Sequence, residues 1–193
     1  VEQGRPEELN AEEPQNVADA VSGLGLDFVV VTSVTRDDLD DGGAEQFTRV
    51  IGTIKQFNPQ TGVEVLVPDF AGNPISLKTV LDARPEVLGH NMETVSRLYR
   101  QVRPGASYER SLELLARAAE QSQKNMAVKS GFMLGLGETE DEIRTLLHDL
   151  YDAGCRMVTI GQYLAPSLRH YPVQRYVSVE EFSKWAREAS KIG

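Results

Sequence analysis

The chain has 193 residues, of which 29 are acidic and 20 are basic, so its formal net charge is −9. This length predicts one domain or at most two, and 16 glycines with 9 prolines are too few for a disordered or collagen-like chain. The single cysteine excludes a disulfide framework and any multi-cysteine metal site built from this chain alone. The acidic balance argues against nucleic acid as a partner, and no apolar run is long enough to predict a membrane partner.

Helical stripes alternate with β-branched runs along the chain. Asn10 to Glu13 predicts a capping box for the first helix, and Gly23 and Gly25 are expected to end it. The run from Asp27 to Thr32 predicts a strand that is buried on both faces. The remaining predicted elements are strands at 63–67, 87–89, 126–134 and 156–161 and helices around 47–54, 75–83, 94–100, 112–119, 143–150 and 182–189.

Strict alternation of five strands with helices predicts an α/β fold, because parallel neighbours are joined through right-handed helical crossovers. Two architectures are open at this point, a doubly wound sheet and a (β/α) barrel. The chain contains no linker, low-complexity tract or 20–50 residue repeat. We therefore predict a single domain over residues 1–193.

Polar residues and glycines concentrate directly after the predicted strands, which is where parallel α/β folds collect their chemistry. These segments are Thr32 to Gly43, Pro68 to Asp69, His90 to Glu93, Gly135 to Glu138, and Gln162 to Tyr163. Their convergence predicts a ligand site built from loops, although loops are polar in any case.

Several of these residues have a plain structural alternative. Asp40 and Asp41 could stabilise the N-terminus of the following helix, and His90 could be a buried histidine with satisfied nitrogens. The segment Gly135–Gly137 lacks the third glycine of a dinucleotide fingerprint and the lysine of a phosphate loop, so its glycines favour close approach of a bulky ligand such as a nucleoside. Cys155 is predicted to be a small buried apolar residue.

Several blocks in register resemble the lipoyl synthases, a family within the radical S-adenosylmethionine (SAM) superfamily. The blocks are TSVTRDDLDDGGA at 32–44, HNMETV at 90–95, KSGFMLGLGET at 129–139 and TIGQYL at 159–164, with shorter matches at 97–104 and 172–177. The resemblance covers essentially the whole chain in order. It implies a partial (β/α)6 radical-SAM-type barrel, truncated here to about five parallel strands with helices outside.

The resemblance also implies an activity. Lipoyl synthases insert two sulfur atoms at C6 and C8 of an octanoyl group held on a lipoyl carrier protein, and they need an electron donor. They use SAM and two 4Fe–4S clusters: one cluster cleaves SAM to a 5′-deoxyadenosyl radical that abstracts hydrogen, and the other donates sulfur. A bacterial cytoplasmic location is assumed, with mitochondria and plastids also open.

The cluster ligands of the family are outside this sequence. The Cys-x3-Cys-x2-Cys motif and the auxiliary-cluster cysteines would precede Gly4, and an Arg-Ser-Ser segment would follow the last helix. We therefore expect an internal fragment of a lipoyl synthase, itself inactive, with no catalytic or metal-ligating residue. The alternative is a non-catalytic SAM- or nucleoside-binding barrel module derived from a radical SAM enzyme.

The resemblance assigns cofactor contacts to residues at the strand ends. Ser33, Asp37 and Asp38 would meet the amino group of SAM, and Arg103 and Lys129 would meet its carboxylate. The ribose and adenine would be met by acceptors, glycines and backbone groups, namely Asn91, Glu93, Gly135, Gly137, Glu138, Gln162 and Leu164. The alternative for each is a hydrogen bond within the protein at the ends of the strands, with no contact to a ligand.

Overall fold

The computed structural model describes residues 6–122 and 126–193. Over those ranges the helices are α1 (Glu13–Leu24), α2 (Ala44–Phe57), α3 (Pro74–Asp82), α4 (Tyr99–Val102), α5 (Tyr108–Glu120), α6 (Glu140–Asp152) and α7 (Val179–Ile192). The strands are β1 (Phe28–Thr32), β2 (Gly62–Leu66), β3 (Val87–Gly89), β4 (Ala127–Leu134) and β5 (Met157–Gln162). Short 3₁₀ helices lie at Phe70–Gly72 and Ser96–Leu98. The predicted α/β class is confirmed.

The strands follow the order β1-β2-β3-β4-β5 in the sheet. β1 pairs with β2 in parallel, with Val30 opposite Glu64, and β4 pairs with β5 in parallel, with Gly131 opposite Thr159. Sequential order without reversal is the order of a (β/α) barrel, whereas a doubly wound sheet reverses its strand order. The topology therefore decides between the two predicted architectures.

The described residues form two compact units. The first comprises residues 6–88 and 126, and the second comprises Gly89–Ser122 and Ala127–Gly193. The prediction of one domain over residues 1–193 stays a prediction.

In the first unit, the predicted apolar stripe of α2 lies in the core: Phe47, Val50, Ile51 and Ile54 are all buried. β1 differs from its prediction, because Phe28 is 48% exposed and Val30 is 53% exposed. Alternate residues of β1 are exposed, so only one face of the strand is covered and the prediction of two buried faces was wrong.

The start of α1 also differs from its prediction. The helix begins at Glu13, its N-cap Glu12 makes no side-chain cap bond, and Asn10 instead accepts a hydrogen bond from the amide of Glu12. Proline is tolerated in the first helical turn, but deeper in the helix it would clash with the preceding turn. A helix starting at Ala11 would place Pro14 too deep, and the capping box at Asn10 is therefore absent.

In the second unit, one face of β4 is buried through Val128, Ser130, Phe132 and Leu134. The core is completed by apolar residues of α5 and α6, including Leu115, Ile143, Leu146 and Leu150. The opposite face of β4 carries Lys129, Gly131 and Met133. Alternation of side chains along the strand thus places these three residues on one face, where Lys129 and Met133 are half-buried and Gly131 is buried.

Helix starts in the second unit follow local signals. Thr139 and Glu142 form the predicted capping box of α6, and Ser178 accepts from the amide of Glu181 at the start of α7. The helix predicted over Thr94–Arg100 is instead a 3₁₀ turn leading into α4, because residue 93 still pairs with Phe132 of β4. Within 6–122 and 126–193, no helix combines the length and apolar character needed to cross a bilayer.

Candidate functional site

The loop after β1 is organised by local contacts. Arg36 forms a bidentate pair with Asp38, 2.8 Å from each carboxylate oxygen, and this hydrogen bond raises the pKa of Arg36. The hydroxyl of Ser33 donates to the carbonyl of Val34 at 2.9 Å. Ser33, Asp37 and Asp38 are all exposed. The three side chains predicted to meet the amino group of SAM thus lie in solvent in the first unit.

Asp41 has the structural role that the alternative reading gave it. Its carboxylate accepts from the amides of Gly43 at 2.9 Å and Glu45 at 2.7 Å, where α2 begins. These amides have no partner within the helix, and a carboxylate satisfies them while opposing the positive end of the helix dipole.

In the second unit, the segment that follows β3 continues alongside β4. The amide of Glu93 donates to the carbonyl of Gly131 at 3.0 Å, and the carbonyl of Glu93 accepts from Met133 at 2.9 Å. Glu93 has a φ of 66°. A non-glycine residue in this region is strained by about 1–2 kcal/mol, and such strain concentrates at functional sites. Glu93 is half-buried, and among the described residues no side chain donates a hydrogen bond to its carboxylate.

Gly131 makes room for polar groups on the face of β4 that carries Lys129 and Met133. A Cβ at this position would lie 2.9 Å from Asn91 Oδ1 and 2.7 Å from Thr159 Oγ1. The missing side chain therefore allows an amide from the end of β3 and a hydroxyl from β5 to approach the same point of the backbone. Asn91 and Thr159 thus bring two side-chain oxygens to Gly131, and the backbone of Glu93 pairs with the same strand.

A network of polar side chains, which begins at Arg103, holds the backbone of Asn91. The guanidinium of Arg103 donates to the Asn91 carbonyl and to the Tyr99 hydroxyl, both at 2.9 Å. Tyr99 in turn donates to Ser111 at 3.1 Å, and His90 Nε2 lies 3.0 Å from the same hydroxyl. Burial raises the pKa of the Tyr99 hydroxyl. His90 is also buried, with 1% of its surface exposed. His90 is therefore a buried, hydrogen-bonded residue, and Arg103 is engaged with the backbone of Asn91.

The Gly135–Glu138 loop is held by its own glutamate. The two oxygens of Glu138 accept from the amides of Gly135 and Leu136, each at 2.8 Å, and the side chain is 1% exposed. Gly135 and Gly137 have φ values of 101° and 95°, which other residues rarely adopt. The loop therefore has a defined shape and exposes backbone at Gly137.

Arg97 connects this loop to α6. It donates to the carbonyl of Gly137 at 2.9 Å and forms an ion pair with Glu142 at 2.6 Å. The hydrogen bond from Arg97 is the main cause that lowers the pKa of Glu142 to about 2.

The side chain of Gln162 is fully engaged inside the protein. Its nitrogen donates to the carbonyls of Tyr163 at 2.9 Å and Arg175 at 3.2 Å, and its oxygen accepts from the amide of Val177 at 2.8 Å. Leu164, two residues further on, is 65% exposed. Any contact of Gln162 with a ligand would have to use its backbone, as the resemblance implies.

The structure thus sorts the predicted cofactor-binding residues into groups. Asn91 and Arg103 meet near the end of β3, the backbone of Glu93 pairs with β4, and Lys129 lies half-buried in β4 opposite Met157. The residues around the 135–138 loop are Gly135, Gly137, Glu138 and Gln162. Ser33, Asp37 and Asp38 belong to the first unit. Whether any of them contacts SAM stays a prediction.

Sequence reasoning assigned no role to several residues that organise this region, namely Arg97, Tyr99, Gly131, Thr159 and Arg175. Two signals could have pointed to them. A glycine within β4 is typical of a close approach by another group. Arg175 lies shortly before the start of α7, six residues from Glu181, the third residue of that helix and its ion-pair partner.

Comparison with known proteins decides the family. The Radical SAM superfamily profile matches residues 1–150. The chain belongs to the radical SAM superfamily. Within this superfamily it is similar to lipoyl synthases over all 193 residues: it is 50% identical to that of Mycobacterium avium (strain 104) and 52% identical to that of Caldicellulosiruptor saccharolyticus. The predicted resemblance is confirmed. The chain spans 62% and 67% of the lengths of these two relatives.

Solved structures show the same fold in other proteins. Methylornithine synthase (PylB) superposes with a TM-score of 0.74 at 16% identity, covering 97% of this chain and 55% of that protein. The FeFe-hydrogenase maturase HydG from Carboxydothermus hydrogenoformans superposes with a TM-score of 0.71 at 18% identity, covering 99% of this chain and 45% of the maturase. The predicted partial barrel is therefore confirmed as a fold.

The radical SAM family implies SAM and a 4Fe–4S cluster, and the chain fits the two differently. Among the described residues no group of three or more His, Cys, Asp or Glu could hold a metal ion. Cys155 is 3% exposed, and burial raises the pKa of its thiol to about 12. These residues do not fit an iron–sulfur cluster. The half-buried Asn91 and the exposed backbone of Gly137 do fit a polar nucleoside, since they offer an acceptor and close backbone approach.

Proposed function

We propose that this chain is the SAM-binding part of a lipoyl synthase, an enzyme that inserts two sulfur atoms at C6 and C8 of an octanoyl group on a lipoyl carrier protein. The observation that carries this proposal is the identity of 50–52% with lipoyl synthases over the whole chain. The alternative, a non-catalytic nucleoside-binding module, is not better supported by the comparisons.

When bound, SAM supplies the group that abstracts hydrogen. The chain's part is to hold the cofactor in one orientation. Asn91 and Glu93 offer an amide oxygen and a carboxylate, which are the acceptors that a ribose diol requires. The strained backbone of Glu93 and the bond from Arg103 to the Asn91 carbonyl support this assignment, because both keep the two acceptors in place before a ligand arrives.

The glycine loop would face the adenosyl part. Gly137, whose backbone is exposed, would let a flat ring approach closely. Gly135 is buried against segment 174–177 and, like Glu138, would act through the shape of the loop, since both Glu138 oxygens bind backbone amides. Beyond the loop, Gln162 to Leu164 would offer backbone groups to the adenine.

Lys129 is the candidate for the carboxylate of SAM. Arg103 is the second candidate, and its Nη1 donates to the Asn91 carbonyl and the Tyr99 hydroxyl, which holds the side chain near the end of β3. Ser33, Asp37 and Asp38 keep their proposed role toward the amino group. The partners follow from the family: an octanoylated lipoyl carrier protein and a reductant, in the cytoplasm of a bacterium.

The proposal is tested with the full-length protein that contains this chain, purified without oxygen and reconstituted with iron and sulfide. It is given SAM, a chemical reductant and an octanoylated lipoyl carrier domain, and the carrier is analysed by mass spectrometry. We expect two added sulfur atoms per octanoyl group. Formation of 5′-deoxyadenosine without sulfur insertion would contradict the lipoyl synthase assignment.

Asn91→Ala serves as the site variant in this assay. Loss of one ribose hydrogen bond is expected to raise the KM for SAM by about tenfold. Arg117→Gln is the matched control, because it removes an exposed pair with Glu113 on α5, away from the strand ends. Equal KM values in Asn91→Ala and wild type would contradict the placement of the ribose.

A further inference from the structure

The segment 174–177 lies across the start of the Gly135–Glu138 loop. The Gly135 carbonyl accepts from the amides of Gln174 at 2.8 Å and Arg175 at 3.4 Å. Gln162 binds the other side of the segment through the carbonyl of Arg175 and the amide of Val177. Through these hydrogen bonds, segment 174–177 covers Gly135, the first residue of the loop.

The fit at Gly135 leaves no spare room. A Cβ there would lie 2.5 Å from the carbonyl oxygen of Arg175 and 2.5 Å from Gln162 Nε2, and a Cβ at Gly137 would lie 3.3 Å from Gln174 Cγ. The position of the segment and the shape of the loop therefore depend on each other.

Arg175 adds a charged connection. Its guanidinium forms a bidentate pair with Glu181 at 2.6 and 2.8 Å and reaches Glu138 at 3.4 Å. Glu181 also accepts from the indole of Trp185, which is fully buried in α7. A continuous relay thus runs from the core of α7 through Glu181 and Arg175 to Glu138, and from Glu138 to the amides of Gly135 and Leu136.

We propose that Arg175 is a positioning residue for SAM: by joining Glu138 to Glu181 it holds the Gly135–Glu138 loop in the shape that accepts the adenosyl part. Arg175 need not touch the cofactor, since its three oxygen partners are all within the protein. This inference rests on the proposed function, because it assigns the loop to SAM. It adds α7 and the segment before it to the apparatus that prepares the cofactor site.

The relay keeps a buried carboxylate, that of Glu138, beside a positive charge. Glu138 has one charged partner among the described ion pairs, Arg175, while its side chain is 1% exposed. Removing the guanidinium leaves a buried carboxylate held by amides alone, so the loop can relax toward solvent. The effect should fall on the affinity for SAM and not on the reaction of bound SAM.

The experiment uses full-length reconstituted protein and four variants: Arg175→Gln, Arg175→Lys, Glu181→Gln and, as control, Arg117→Gln. Arg117 is a matched control because its side chain is 39% exposed against 38% for Arg175, and it also pairs with a glutamate. The Kd for SAM is measured by titration, and kcat and KM are measured for 5′-deoxyadenosine formation.

We expect Arg175→Gln to raise the Kd and KM for SAM by about tenfold, within the range of coupling through a contact network, and to leave kcat at saturating SAM within about twofold. Arg175→Lys should recover part of this loss, since it keeps the charge without the bidentate fork. Glu181→Gln, the milder variant, should raise Kd by about threefold, and Arg117→Gln should match wild type.

Hydrogen exchange adds a readout that does not depend on activity. The amides of 135–138 should exchange faster in Arg175→Gln than in wild type, and at the wild-type rate in the Arg117→Gln control. Wild-type protein that does not bind SAM would contradict the proposed function. Wild-type protein that binds SAM, together with Arg175→Gln or Glu181→Gln of unchanged affinity, would contradict the positioning role alone. If Arg175→Gln does not fold, the result from Glu181→Gln decides.

Discussion

The loop after β1 and the loop after β4 are both rich in acids and glycines, yet they are held in different ways. In the first, Asp38 binds Arg36 two residues away, and Asp41 binds the start of its own helix. In the second, Glu138 meets Arg175 across 37 residues, and Arg97 meets Glu142 across 45. The polar contacts given for the first loop are local and exposed, whereas the second adds ion pairs with distant parts of the chain to the bonds of its own Glu138.

This difference matters for binding. A loop held by long-range contacts around a buried carboxylate keeps its shape without a ligand, so little ordering entropy is lost when a ligand binds. A loop held by neighbours can adopt other arrangements at small cost. We therefore place the preformed part of the cofactor site at the loop after β4.

The largest expected effect comes from replacing the key carboxylate of each loop, Glu138 or Asp38, by the corresponding amide. Glu138→Gln replaces one acceptor of a backbone amide by a donor inside the protein, and we expect it to lower the free energy of unfolding by about 2–3 kcal/mol. Asp38→Asn removes an exposed pair and should cost less than about 1 kcal/mol. Urea unfolding of both variants measures the difference. Equal losses would show that the two loops are held alike.

The next effect tests the close packing at Gly131. Gly131→Ala inserts a methyl group between Asn91 and Thr159, and we expect a loss of about 1–3 kcal/mol in unfolding free energy together with weaker SAM binding. Gly161→Ala is the control: it lies on the neighbouring strand, and nothing would lie within 4 Å of its Cβ. It should change stability by less than about 0.5 kcal/mol. A tolerated alanine at Gly131 would contradict the close approach of Asn91.

A third test uses pH. The pKa of Glu142 is lowered to about 2 from an ordinary value of 4.5, chiefly by the hydrogen bond from Arg97. A lowered carboxylate pKa stabilises the fold fully above pH 4.5, and the contribution is lost as pH falls toward 2. Arg97→Gln should therefore cost about 1 kcal/mol at neutral pH. Thermal unfolding from pH 7 downward should show this difference shrinking in acid, and a constant difference would contradict the ion pair.

The smallest expected effect separates strain from function at Glu93. Glu93→Gly relieves the positive φ and should raise unfolding free energy by about 0.5–1 kcal/mol, while removing the carboxylate should weaken SAM binding. Glu93→Gln keeps the strain and loses only the charge, so it should weaken binding without a gain in stability. If Glu93→Gly binds SAM as wild type does, the strained carboxylate has no role in binding.

Much of the fold could be predicted because its signals are local. The capping box at Thr139, the N-cap at Ser178 and the strands are set by neighbours in the chain, and all appear in the structure. The start of α1 failed because Pro14 outweighed the capping pattern at Asn10. The two-sided burial of β1 failed because composition says nothing about how many faces of a strand are covered.

The site was predictable as a set of strand ends but not as a set of contacts. Asn91 and Glu93 could be chosen from their position after β3. The engagement of Arg103 with the Asn91 carbonyl, of Gln162 with segment 174–177 and of Glu138 with Arg175 depends on residues 12 to 37 positions apart. No pattern within one element carries that information.

We propose that SAM binds at residues 91–93, after β3, and at the loop 135–138, after β4. Hydrogen exchange of the full-length reconstituted protein, with and without SAM, tests it most directly. We predict slower exchange on binding at 91–93 and 135–138, with unchanged exchange in α5 as the internal reference. Saturating SAM that leaves the exchange of 91–93 and 135–138 unaltered would contradict the account.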